Sequence, residues 1–94
     1  MDIIFTITLL RGLNVEADER TVGWYQSLRR AKDTVEDNYC DIHETIWEYA
    51  IIEKLGRGLY PEVINEYWFQ WQNGKYVEIP KPEGLRDLCN WAIG

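Results

Sequence analysis

Ninety-four residues suffice for one hydrophobic core and are too few for two domains; an apolar fraction of 46% with 14% aromatics excludes a disordered chain, which lacks the apolar surface to offset its entropy. A formal charge of −6 creates a long-range field that repels polyanions, so direct binding to nucleic acid or to an anionic membrane surface is disfavoured. No stretch of sequence approaches the ~20 apolar residues that a membrane-crossing helix needs.

The run Ile3 to Leu10 is β-branched and apolar on both alternations, which predicts a central strand covered on both sides. It has the apolarity of a signal-peptide core, but Asp2 precedes it, no basic region leads it and no small-residue cleavage site follows. The expectation is therefore a cytoplasmic protein. Asn14 to Glu19 reads as a turn and Arg20 to Tyr25 as a second strand antiparallel to the first, with Gly23 marking a bulge or a close backbone approach. Ser27 suits the N-cap of a helix from about Leu28 to Asn38, whose apolar stripe is Leu28, Ala31, Val35 and Tyr39. Asn38 to Glu44 interrupts that pattern as a short turn or loop. Trp47 to Glu53 reads as a third strand with Trp47, Tyr49 and Ile51 on one face and Ala50 and Ile52 on the other, and Gly56, Gly58 and Pro61 punctuate the loop that follows.

Glu66 to Pro80 carries the strongest local signal, two β-prone runs around Asn73-Gly74, the dipeptide of a type I′ hairpin turn. A tight turn sets Gln72 opposite Lys75, Trp71 opposite Tyr76, Gln70 opposite Val77, Phe69 opposite Glu78 and Trp68 opposite Ile79. Tyr67, Phe69, Trp71 and Tyr76 then share one face, while Trp68, Val77 and Ile79 share the other. With the first face as core, Trp71→Ala is expected to unfold the domain, and Trp68→Ala to spare folding while weakening association. Pro80 and Pro82 bracket a turn, and Leu85, Leu88, Cys89 and Ala92 form a stripe at helical spacing. The prediction is a single α+β domain over residues 1–94, a mainly antiparallel sheet in the order β-β-α-β-β-β-α with its helices packed on one face.

The chemical candidates are thin. Between Asp33 and Glu53 stand seven carboxylates and no Lys or Arg, which reads as a solvated face, an acidic patch for a basic protein or a nucleic-acid mimic. Cys40, Asp41, His43 and Glu44 crowd four possible metal ligands together, yet the spacing matches no metal signature, and no cofactor or metal is expected. Cys40 and His43 suggest a nucleophile and base only through closeness in sequence; the simpler expectation is a buried helix-end Cys40 and an exposed loop His43. Cys40 and Cys89 read as reduced thiols. Gly56-Arg57-Gly58 offers amides and a guanidinium to an anion but lacks phosphate-loop spacing. Five Trp and six Tyr exceed what a small core readily buries, so some should line a surface or pocket. Rings stack on planar ligands and guanidinium grips phosphate in bidentate fashion, which points to a ligand-binding set of Trp24, Arg29, Arg57, Tyr60, Trp68 and Trp71, with Arg30 beside it.

Taken together, Thr21-Val22-Gly23-Trp24-Tyr25, Glu36-Asp37-Asn38-Tyr39-Cys40-Asp41-Ile42, Tyr49-Ala50-Ile51-Ile52-Glu53, Gly58-Leu59-Tyr60-Pro61, Tyr67-Trp68-Phe69-Gln70-Trp71 and the closing Ala92-Ile93-Gly94 resemble a family of small proteins of bacterial genomes, prophages and phages. The resemblance implies a phage or mobile-element setting, in which small cytosolic proteins often block host defence. The expectation is a non-enzymatic binding module that sequesters a nucleotide-like signalling molecule, as a homo-oligomer because one small sheet makes a shallow site. The alternative is an inhibitor of a host protein that uses the spare hairpin face and the acidic segment.

Overall fold

The computed structural model describes residues 3–13, 18–57 and 63–82. Five strands, β1 (Ile4–Leu10), β2 (Glu19–Tyr25), β3 (Tyr49–Leu55), β4 (Val63–Gln72) and β5 (Lys75–Ile79), form one antiparallel sheet ordered β2-β1-β3-β4-β5. The single α-helix among the described residues, α1 (Leu28–Glu36), lies on one face of this sheet. A 3₁₀ turn, Tyr39–Asp41, follows it, and the second helix expected around Leu85 to Ala92 lies outside the described residues. The described order is thus β-β-α-3₁₀-β-β-β rather than β-β-α-β-β-β-α.

The two-sided apolar run at the start becomes an inner strand. β1 pairs with β3 from Ile4↔Leu55 to Leu10↔Tyr49 and with β2 on its other side, and every side chain from Phe5 to Leu10 is buried. Phe5, Ile7 and Leu9 join Ala50, Ile52, Phe69 and Tyr76 beneath Ala31 and Val35 of α1. Alternation sends Thr6, Thr8 and Leu10 to the opposite face, where Leu10, Ile51 and Trp68 form a second buried cluster. Polar groups on that face are held locally: the Thr8 and Thr21 hydroxyls meet at 3.0 Å, and the Thr6 hydroxyl donates to the Glu53 carbonyl at 3.5 Å. Glu53, expected on an acidic surface, is fully buried there, directly opposite Glu66, whose carboxylate accepts from Lys81 at 2.9 Å.

Ser27 caps α1 as expected, its hydroxyl accepting from the Arg30 amide at 3.3 Å, a contribution of about 1 kcal/mol. The helix stops at Glu36, and Asn38 turns left-handed (φ 47°), which its short side chain tolerates; its carboxamide oxygen takes the His43 amide at 2.9 Å. The expected stripe therefore ends at Val35, and Tyr39, beyond the break, is 63% exposed. Cys40, Asp41, Glu44 and Thr45 also have positive φ, so the loop repeatedly reverses direction. It lays His43 flat on Trp71, with ring centroids 3.6 Å apart and planes within 6°, against the edge of Tyr76. The expected exposures of Cys40 and His43 are thereby reversed: Cys40 is exposed and His43 partly buried.

β3 begins at Tyr49, two residues later than expected, because Trp47 still belongs to the loop. Trp47 is buried on the helix face with Ala50 and Ile52, whereas Tyr49 and Ile51 face Trp68 on the other side. Its backbone carbonyl accepts from the buried Tyr76 hydroxyl at 2.7 Å. The hairpin adopts the expected register at all five positions from Gln72↔Lys75 to Trp68↔Ile79, with Asn73 at φ 51° and Gly74 at φ 86° as the type I′ turn requires. Both hairpin faces are covered. Trp68 is 1% exposed and Trp71 only partly buried, so the idea of a spare face at Trp68 is overturned.

Three outcomes follow from this packing. Trp68→Ala is expected to destabilise the fold by about 3–5 kcal/mol in chemical denaturation, and an unchanged midpoint would refute its buried position. A double-mutant cycle on His43 and Trp71 should show a coupling of about 0.5–1.5 kcal/mol; additive effects would mean that the stack contributes nothing. Burial, reinforced by Asp41, Glu44 and Glu48, pushes the Tyr76 phenol above its ordinary value of 10.0. A group raised on folding contributes stability that is complete below its unfolded value and lost as pH climbs above it, so stability should fall above about pH 10. Tyr76→Phe should flatten that alkaline loss while costing about 1–3 kcal/mol at neutral pH for the orphaned Trp47 carbonyl; an unaltered alkaline slope would assign the loss to other groups.

Candidate binding cleft between the edge strand and the helix

β2 is an edge strand, and it is irregular. Ile7 pairs with Gly23 and Thr8 with Thr21, so Val22 is an extra, bulged residue. Gly23 opposes Ile7 on the face that carries α1, and a Cβ built on it would meet no atom within 4 Å. Its backbone needs no left-handed conformation, and glycine inside a strand costs stability, so the open space above it is what remains to be explained.

That space is a cavity of about 300 Å³, floored by Ile7 and Gly23 and walled by Tyr25, Tyr39, Cys40 and Ile42. A second, more open cleft of about 300 Å³ adjoins it, sharing Tyr25, Thr34 and Tyr39 and adding Arg30, Asp33 and Asp37. The inner part is apolar and the outer part charged. Three elements create the arrangement: β2 supplies Gly23 and Tyr25, the exposed flank of α1 supplies Arg30, Asp33 and Thr34, and the left-handed turn after the helix swings Tyr39 and Cys40 over the mouth.

Thr34 fixes the wall between the two parts. Its hydroxyl lies 2.9 Å from both the Tyr25 hydroxyl and the Arg30 carbonyl. Having one proton, it donates to the Tyr25 hydroxyl or to the Arg30 carbonyl, and the contact ties the Tyr25 ring to α1 at the boundary. Arg30 has no ion pair among the described residues, although Asp33 and Asp37 line the same cleft.

Of the residues singled out from sequence, Trp24 lies at this cavity and is 59% exposed. The others that the structure describes are scattered. Arg29 points to solvent, with Asp33 at 3.8 Å; Arg57 is exposed beyond β3; Trp68 is buried on the opposite face; Trp71 is occupied by His43; Tyr60 lies outside the described residues. Arg30 takes the place proposed for Arg29, and Tyr25, Tyr39, Thr34 and Asp37 are additions that pattern reasoning missed. The available signal was a glycine within a β-prone run; the two distinctive stretches 21–25 and 36–42 meet at this one cleft.

No group of three or more His, Cys, Asp and Glu side chains among the described residues is placed to hold an ion, and His43 turns to Trp71 while Cys40 lines the cavity. Cys89 lies outside the described residues. No helix among the described residues is long and apolar enough to cross a membrane. No family model matches the chain, and neither does any curated protein or solved structure.

Proposed function

We propose that this chain is a small non-enzymatic binding module that captures a nucleotide-like ligand in the cleft between β2 and α1, and that it acts in a phage or mobile-element setting by sequestering a host defence signal. The observation that carries the reading is the empty space over Gly23. A strand position that would accept a larger side chain without collision is instead left bare, at the floor of an apolar cavity with tyrosines at its mouth and a guanidinium beside it. Cavities of this size at the low end of ligand sites suit a planar ring, and Arg30 suits a phosphate. The phage setting rests on the resemblance of the sequence motifs. Capture rather than turnover fits a cleft whose one thiol, Cys40, is not served by His43, since that ring is held between Trp71 and Tyr76. An inhibitor of a host protein built on the hairpin draws less support, because Trp68 and Glu53, two of its anchors, are buried.

Gly23→Val separates binding from folding. The substitution places methyl groups in open space and a β-branched residue in a strand, so its thermal midpoint should equal or exceed that of the parent. Native mass spectrometry of both proteins purified from phage-infected cells should show a bound small molecule, released on denaturation, on the parent and none on Gly23→Val. Equal adducts on the two proteins would move the site elsewhere, and a clean parent with a co-purifying host protein would favour the interaction inhibitor.

A further inference from the structure

The charges at the cleft mouth restrict what the ligand can carry. One guanidinium, Arg30, stands against two carboxylates, Asp33 and Asp37. Among the described residues the Asp33 carboxylate meets a cation only in a 3.8 Å contact with the exposed Arg29, a pair of little energetic weight, and neither Arg30 nor Asp37 makes a side-chain ion pair. Opposite charges line one cleft without neutralising each other. A ligand that presents both an anion and hydrogen-bond donors satisfies all three; a ligand that presents only anions does not.

We infer, building on the nucleotide reading above, that the cleft selects a ribonucleoside carrying a single phosphate group over its polyphosphate forms. The base enters the apolar cavity above Gly23 beside Tyr25 and Tyr39. Arg30 takes the phosphate through paired N–H donors. Asp37 accepts from the ribose hydroxyls, two donors close enough for one carboxylate, as acidic side chains do in other nucleotide sites. A second and third phosphate have no further cation lining the cleft among the described residues and meet Asp33 or Asp37 instead, within a chain whose net charge is −6.

The test is calorimetry in magnesium-free buffer with the common ribonucleosides, their monophosphates and their triphosphates. For the base that binds best, the monophosphate should bind about tenfold or more tightly than both the nucleoside and the triphosphate. Arg30→Ala should bring the monophosphate down to the affinity of the nucleoside, and Asp37→Asn should narrow the gap between monophosphate and triphosphate. Both positions are exposed, and unchanged circular dichroism melts confirm that the variants fold. A triphosphate that binds as tightly as the monophosphate, or a monophosphate indifferent to Arg30→Ala, overturns the charge selection while leaving the cavity as the site. Failure of every nucleoside and nucleotide to bind overturns the nucleotide reading itself.

Discussion

Coverage of the helix face is the constraint on which the rest of this fold depends. A helix of nine residues is about 13 Å long, whereas five strands side by side span about 19 Å. α1 therefore cannot roof the whole sheet. The loop that follows it takes over at one end, where His43 and Trp47 close the space around Trp71 and Tyr76. At the other end, over the edge strand, no comparable side chain descends among the described residues, and the cleft is the remainder they leave uncovered.

The loop that completes the roof does so in a strained conformation. Thr45, β-branched, sits at φ 63°, and Cys40 and Glu44 are left-handed as well, at a cost of about 1–2 kcal/mol for each such residue. The surroundings offset it. Glu44 accepts from the Trp47 indole at 3.3 Å and meets Arg20 at 3.4 Å, the Asn38 side chain bonds His43 and Asp41, and the His43–Trp71 stack pins the centre of the loop to the hairpin. The same turn that drives His43 inward drives Tyr39 and Cys40 outward over the cavity. The mouth of the cleft and the far end of the core are thus set by one stretch of backbone.

What could be read from the residues alone was what depends on neighbours along the chain. Asn73-Gly74 sets the hairpin register because its twist acts locally, and the double alternation of β1 declares a strand buried on both faces. A period of two puts Trp47 on the wrong face because it runs through a position where the backbone is not yet extended. Trp68 looked spare because nothing in an alternating pattern says whether a second face is covered. The cleft was the least legible part, since it consists of what α1 fails to cover; choosing Arg30 over Arg29 requires knowing how the helix is rotated about its axis, and one residue is a turn of about 100°. Gly23 was visible as an anomaly, but its meaning came only from the empty volume above it.

The bulge at Val22 has a further effect. An outermost strand with a straight row of unpaired amides invites another chain to add to the sheet, and repeated addition is fibre growth. The extra residue breaks the even spacing of that row midway along β2, and the charged Glu19 and Arg20 occupy its start. The irregularity at the cavity also keeps this edge from acting as an aggregation template.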